Sequence, residues 1–226
     1  MTEPSNSKKI LSLKGRAVLA TTCLVLGIIV FIVAYIGMKQ SVGVGSLNLP
    51  ILTWMINHRA DGITVSAKII TSIANPYFFA SITAVVVFAW MGLRREIWRP
   101  VILACAVAVA AATSTLLKLH FMDSRPPQID MIPTYEYDFS FPSGHTIGIA
   151  VFLLVVGYLI YSRNYSLQRF WAWIATAVIG TSLVALSRLY LGYHWLTDII
   201  ASVGLALIIL AIIIAVDSVY LKRYKI

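Results

Sequence analysis

The sequence predicts an all-α polytopic membrane protein with six transmembrane helices and a site on the outer face. Three observations lead there. Of 226 residues, 59% are hydrophobic and only 12% are charged, and the mean hydropathy is +0.85, far from the balance of a soluble globular domain. The apolar residues fall into six runs of near membrane-crossing length. Basic residues alternate between the connections in the way that cytoplasmic retention of short positive loops requires.

The runs are Val18 to Met38, Tyr77 to Leu93, Val101 to Leu117, Thr146 to Tyr161, Trp171 to Leu186 and Trp195 to Val216. Trp98, Tyr161, Trp171, Trp173 and Trp195 stand near their ends, where amphipathic rings suit the membrane–water boundary. The apolar character is spread along the chain and lacks a small-residue cleavage site, so the first span is expected to be retained. Residues 1–226 read as a single integral-membrane domain. Between spans, Leu49 to Ile56 and an amphipathic Ile63 to Ile73 suggest helix at the interface, while Phe121 to Phe141, with Pro126, Pro127 and Pro133, reads as an ordered loop.

Twelve of the eighteen basic residues flank one set of span ends: Lys8, Lys9, Lys14 and Arg16; Arg94, Arg95 and Arg99; Arg163 and Arg169; Lys222, Arg223 and Lys225. Both termini are therefore expected in the cytoplasm of a cell with this chain in its plasma membrane. The net charge of +9 is explained by these flanks, and no nucleic-acid partner is implied. Cys23 and Cys105 lie in spans without paired spacing and read as small packing residues.

The remaining basic residues are Lys39, Arg59, Lys68, Lys118, Arg125 and Arg188, all on the other side. Three of them belong to short strings beside the apolar runs: Lys118 with Arg125-Pro126, Pro142-Ser143-Gly144-His145, and Ser187-Arg188 followed by His194 and Asp198. Charge at such places is costly and marks function. Singly, a cation at a span end is more often a snorkelling side chain. Three together form a receptor for phosphate oxygens.

Pro142-Ser143-Gly144-His145 precedes an apolar run, so its backbone N–H groups face outward from a helix N-terminus, with Gly144 admitting an anion closely. His194 and Asp198, four apart and expected on one face at the start of the sixth helix, place a carboxylate against one ring nitrogen and leave the other free, as an oriented nucleophile or base requires. His58 and His120 read as loop or interface residues. Asp123, Asp130, Glu136 and Asp138 lack a recognised metal-ligand spacing and read as a solvated acidic loop.

With these residues in view, the chain resembles the type 2 phosphatidic acid phosphatase (PAP2) superfamily, whose three signature motifs match Lys118 to Asp198 in order and spacing. The resemblance implies a membrane lipid phosphatase. His194 would be the nucleophile, Asp198 its orienting partner and His145 the acid on the departing oxygen. Lys118, Arg125, Arg188, Ser143 and Gly144 would bind the phosphoryl group, with no metal and no other cofactor. Undecaprenyl pyrophosphate is the favoured substrate, then phosphatidylglycerophosphate and phosphatidic acid. Lipid phosphotransfer is the alternative within the resemblance, and lipid binding or transport without turnover the alternative outside it.

Overall fold

A computed structural model describes residues 10–224; the flanking Lys8, Lys9 and Lys225 lie outside them. The described residues form helices joined by loops and contain no strand. Six helices are long and apolar enough to cross a membrane: α1 (Leu13–Gln40), α4 (Pro76–Arg94), α5 (Trp98–Phe121), α6 (Gly144–Tyr161), α7 (Leu167–Tyr190) and α8 (Leu196–Tyr224). Two shorter helices, α2 (Asn48–Asn57) and α3 (Asp61–Ile73), fill the connection after α1. The expected spans are all present, most of them extended by a few residues, because capping groups and not the apolar run decide where each helix starts. Ser12, Asn75, Ser143 and Ser166 accept the N–H of Gly15, Tyr77, Thr146 and Arg169.

The short α6 is the hub. Its 18 residues rise about 27 Å, enough to cross most of the hydrocarbon layer. Ile147, Val151, Val155 and Leu159 on it are fully buried, packed with Leu103 and Ala106 of α5 and with Leu210 and Ile214 of α8. Helix α1 lies along α8, where Gly27 meets Gly204: a Cβ on Gly27 would come within 2.7 Å of the Gly204 carbonyl oxygen. Bilayer helices gain little from apolar association alone, and such backbone-to-backbone approach supplies the packing. The large apolar side chains left exposed on α1 and α4, among them Val25, Ile29, Val85 and Phe88, form the lipid-facing surface.

Two flanking cations are not at the surface. Arg16 is buried and donates to Asp217 Oδ2 and to the Tyr158 hydroxyl, both at 2.6 Å, while Trp98 Nε1 donates to Asp217 Oδ1 at 3.1 Å. Arg99, also buried, donates to the Leu159 carbonyl. These residues read in the sequence as interfacial charge, but a buried carboxylate 201 positions from Arg16 recruits it inward. Trp173 is likewise buried and Cys105 is exposed, so neither has the place expected of it.

Candidate functional site

Four helix ends meet at one end of the bundle: the C-termini of α5 and α7 and the N-termini of α6 and α8. They carry Lys118, Arg188, the Gly144–His145 pair and Asp198, and Arg125 comes from the loop after α5. The connections after α1 and α5 clamp this end. Arg59 donates to the carbonyls of Asp130 and Tyr190, and the Tyr190 hydroxyl accepts the Ala60 N–H at 2.8 Å, tying α3 to α7. Gly192, at φ 77°, makes the turn from α7 towards His194, and a Cβ there would stand 2.5 Å from the Asp130 carbonyl oxygen. Both constraints exclude other residues.

His194 lies two residues before α8, not on it as the sequence suggested, yet the expected contact is made: Nδ1 is 3.0 Å from Asp198 Oδ2. Fully buried Asp198 accepts two further bonds on the same oxygen, from the Trp195 N–H at 2.8 Å and from the Ser140 hydroxyl at 2.5 Å. Ser140 is a residue the sequence reading missed; only its chain position, just before the Pro142–His145 string, pointed to it. On the other side of the ring, Arg125 Nη1 stands 3.2 Å from His194 Nε2. A guanidinium has no lone pair, so Nε2 must accept, and a carboxylate accepts from Nδ1. Both neighbours therefore require the same neutral tautomer, with the proton on Nδ1 and the lone pair on Nε2. Burial, then the charges of Arg125, Arg188 and Lys118, hold the His194 pKa well below the ordinary 6.5.

Ser143 is fully buried and caps α6: its Oγ accepts from the Thr146 N–H at 3.4 Å and from the Thr146 hydroxyl at 3.0 Å. Its own hydroxyl proton is what remains to donate. Gly144 opens α6, and a Cβ there would lie 3.3 Å from Ser114 Oγ, so the glycine keeps the helix start close to α5. His145 follows it and lines a cleft of about 830 Å³ between α4, α5 and α6. From Lys118 at its mouth the cleft runs down α5 to Ala104, a rise of about 21 Å. Its deep walls are small and apolar, including Ala80, Ala84, Ala108 and Ala111.

Two acids of the loop expected to be solvated are paired with the cations of the site, although Asp138 stays largely exposed. Glu136 is 2.5 Å from Arg188 Nη2 and 2.9 Å from Arg125 Nη2; Asp138 is 2.5 Å from both Arg125 Nη2 and Lys118 Nζ. Burial alone would raise the Asp138 pKa, but the Lys118 hydrogen bond and the Arg125 charge outweigh it and hold the carboxyl below its ordinary 3.8. Arg188 is fixed further by Thr71, whose hydroxyl accepts at 2.8 Å, and by the Tyr193 ring 4.5 Å below its guanidinium. His58 stacks on Trp54 and His120 meets Phe121 edge to face, outside the site. Among the described residues no group of three or more His, Cys, Asp or Glu side chains is placed to hold a metal ion.

Comparison with known proteins gives consistent results. A family model described as the PAP2 superfamily matches residues 99–220, more than half of the chain. Phosphatidylglycerophosphatase B of Bacillus subtilis is 27% identical over 143 residues, 62% of this chain and 68% of that protein. Sphingosine-1-phosphate phosphatase 1 of Mus musculus is 37% identical over 92 residues, 38% of this chain and 20% of that protein. Among solved structures, the transmembrane PAP2-type phosphatidylglycerolphosphate phosphatase from Bacillus subtilis superposes with a TM-score of 0.73 at 21% identity, covering 88% of this chain and 95% of that one. Aquifex aeolicus LpxE superposes with a TM-score of 0.56, also at 21% identity, covering 75% and 94%. These superpositions establish a shared fold.

Proposed function

Because the chain belongs to the PAP2 superfamily, we propose that it is a membrane-embedded lipid phosphatase that hydrolyses the terminal phosphate of a lipid phosphate or diphosphate through a phosphohistidine. The observation that carries the reading is the geometry at His194, with Nδ1 3.0 Å from Asp198 Oδ2 and Nε2 3.2 Å from Arg125 Nη1, which a neutral ring with its proton on Nδ1 satisfies. Phosphoryl transfer asks mainly for positioning and charge stabilisation. The contacts of His194 support an oriented nucleophile, and Lys118, Arg125 and Arg188 at the same end of the bundle support stabilisation of the charge on the phosphoryl oxygens.

In the first step His194 Nε2 bonds to phosphorus in line with the departing oxygen, which takes a proton from His145. Asp198 stabilises the positive ring as the P–N bond forms. Lys118, Arg125 and Arg188 bind the phosphoryl oxygens, helped by the Ser143 hydroxyl and the Gly144 backbone. In the second step His145 takes a proton from water, the water oxygen bonds to phosphorus, the P–N bond breaks, and inorganic phosphate leaves. No metal ion has a part in this scheme.

The cleft supports a lipid substrate, since its mouth holds His145 and Lys118 and its depth is apolar. Undecaprenyl pyrophosphate is the lead substrate, followed by phosphatidylglycerophosphate and phosphatidic acid. The distribution of basic residues supports an extracytoplasmic site with both termini inside.

The test is phosphate release from those three lipids by detergent-purified protein, alongside His194→Ala and with EDTA. Release that depends on His194 and survives EDTA is expected. Activity retained by His194→Ala would end the phosphohistidine mechanism, and loss in EDTA restored only by a divalent ion would end the metal-free one. Phosphate appearing on an added alcohol and not in water would identify a transferase.

A further inference from the structure

The charged side chains of the site form one unbroken ladder, Arg188–Glu136–Arg125–Asp138–Lys118. Its four carboxylate oxygens, two from Glu136 and two from Asp138, each meet a cation at 2.5 to 2.9 Å. That is the spacing phosphoryl oxygens take against Arg and Lys. Both acids line the cleft. Glu136 keeps 25% of its side chain exposed and Asp138 57%, whereas Arg125 and Arg188 behind them keep 5% and 1%. His194, with 1% of its side chain exposed, lies behind them as well.

We propose that Glu136 and Asp138 determine specificity: they are internal counter-anions seated in the phosphoryl subsites, displaced by a doubly charged phosphomonoester or diphosphate and not by the singly charged phosphodiester lipids that fill a bilayer. The proposal rests on the phosphatase reading above. Charge decides it. Three cations face two carboxylates. A phosphomonoester brings about −1.5 to −2 charges at neutral pH and three oxygens, so exchanging it for both carboxylates conserves the balance. A phosphodiester brings one charge and two free oxygens, and the exchange leaves buried guanidinium charge uncompensated, which is costly away from water.

The same exchange uncovers the nucleophile. Arg125 Nη1 donates to the Tyr193 carbonyl at 2.5 Å, its Nε donates to the Asp138 carbonyl at 2.8 Å and its Nη2 is held by both acids; together these keep Nη1 3.2 Å from the His194 Nε2 lone pair. Once a phosphoryl group replaces the carboxylates, the guanidinium follows the new charge and the lone pair faces phosphorus. Recognition and access to His194 are thereby coupled.

The experiment compares the full-length wild type with Asp138→Asn and with Glu136→Gln/Asp138→Asn, all in detergent. Calorimetric titration measures binding of inorganic phosphate and of dioctanoyl phosphatidylglycerol, a phosphodiester. In parallel, the diester is tested as an inhibitor of phosphate release from dioctanoyl phosphatidic acid. In the double variant the diester should bind and inhibit on the order of tenfold more tightly, the scale of one charge-assisted contact, while KM for the monoester falls less. Discrimination between the two therefore drops, with Asp138→Asn intermediate.

Discrimination unchanged in both variants, or binding of both ligands weakened together, overturns the proposal. If the double variant does not fold, Asp138→Asn decides, since its carboxylate is the more exposed. Calorimetry needs no turnover and separates the two readings. Gained diester binding without phosphate release from any lipid keeps the counter-anions and removes the phosphatase, whereas release with unchanged discrimination does the reverse.

Discussion

Replacing Asp198 with Asn exchanges one oxygen for an NH2 group at a fully buried position. Shape is conserved, and an amide oxygen placed where Oδ2 stands still accepts from Trp195, Ser140 and His194, now found at 2.8, 2.5 and 3.0 Å. What disappears is charge. In the proposed mechanism the ring becomes positive as Nε2 takes the phosphoryl group, and a carboxylate 3.0 Å away would stabilise it by about 5 kcal/mol at an effective dielectric near 20. At about 1.4 kcal/mol per factor of ten, Asp198→Asn should lower kcat by roughly 10³- to 10⁴-fold. The ground-state ring is neutral and its orientation is kept, so KM should change little. The assay is steady-state phosphate release from dioctanoyl phosphatidic acid in detergent, with a thermal melt to establish that the variant is folded. A folded variant with kcat within about threefold of wild type, or a defect confined to KM, would refute the assignment of Asp198 as the partner that stabilises a charged His194.

Three further outcomes follow from other parts of the molecule. Ala108→Phe puts a ring into the apolar depth of the cleft; kcat/KM for long-chain lipid phosphates should fall about tenfold or more, while a water-soluble phosphomonoester is turned over as before. Asp217→Ala strands the buried Arg16 guanidinium and should cost about 3 to 5 kcal/mol of stability, read as a lower melting temperature with KM unchanged. His194, held neutral in the folded protein, gives a pH dependence whose sign is fixed. The unfolded chain takes up this proton below about pH 6.5 and the folded chain does not, so stability present above that value is lost at about 1.4 kcal/mol per pH unit on acidification, until the folded pKa is reached. His194→Gln should lack this contribution, so the offset between the melting temperatures of the two proteins should be constant above about pH 6.5 and change below it as the wild type alone loses this stability.

Much of the fold was legible because its cause is local. Apolar runs near bilayer length form helices since no other open structure satisfies the backbone in lipid, and all six were found from composition alone. The three motif strings were legible for the same reason: charge beside an apolar run is rare enough to stand out. Helix ends were less so. His194 falls outside α8 because the Asp198 carboxylate caps the Trp195 N–H from within the helix, a choice that hydrophobic periodicity does not record. Ser140 was missed because a lone serine in a loop carries no signal until its hydroxyl is found on a buried carboxylate.

By itself, then, the sequence determined the all-helical membrane architecture, since that follows from residue type and spacing along the chain, and it singled out the side chains proposed to bind phosphate, which the fold gathers at one end of the bundle. The tertiary structure alone decided which charges meet. It drew Arg16 inward to Asp217, and it set Glu136 and Asp138 of the acidic loop against Lys118, Arg125 and Arg188. The physical reason is that a buried charge seeks its partner through space, and in this chain those partners lie from 11 to 201 positions away, beyond any pattern a linear reading can follow.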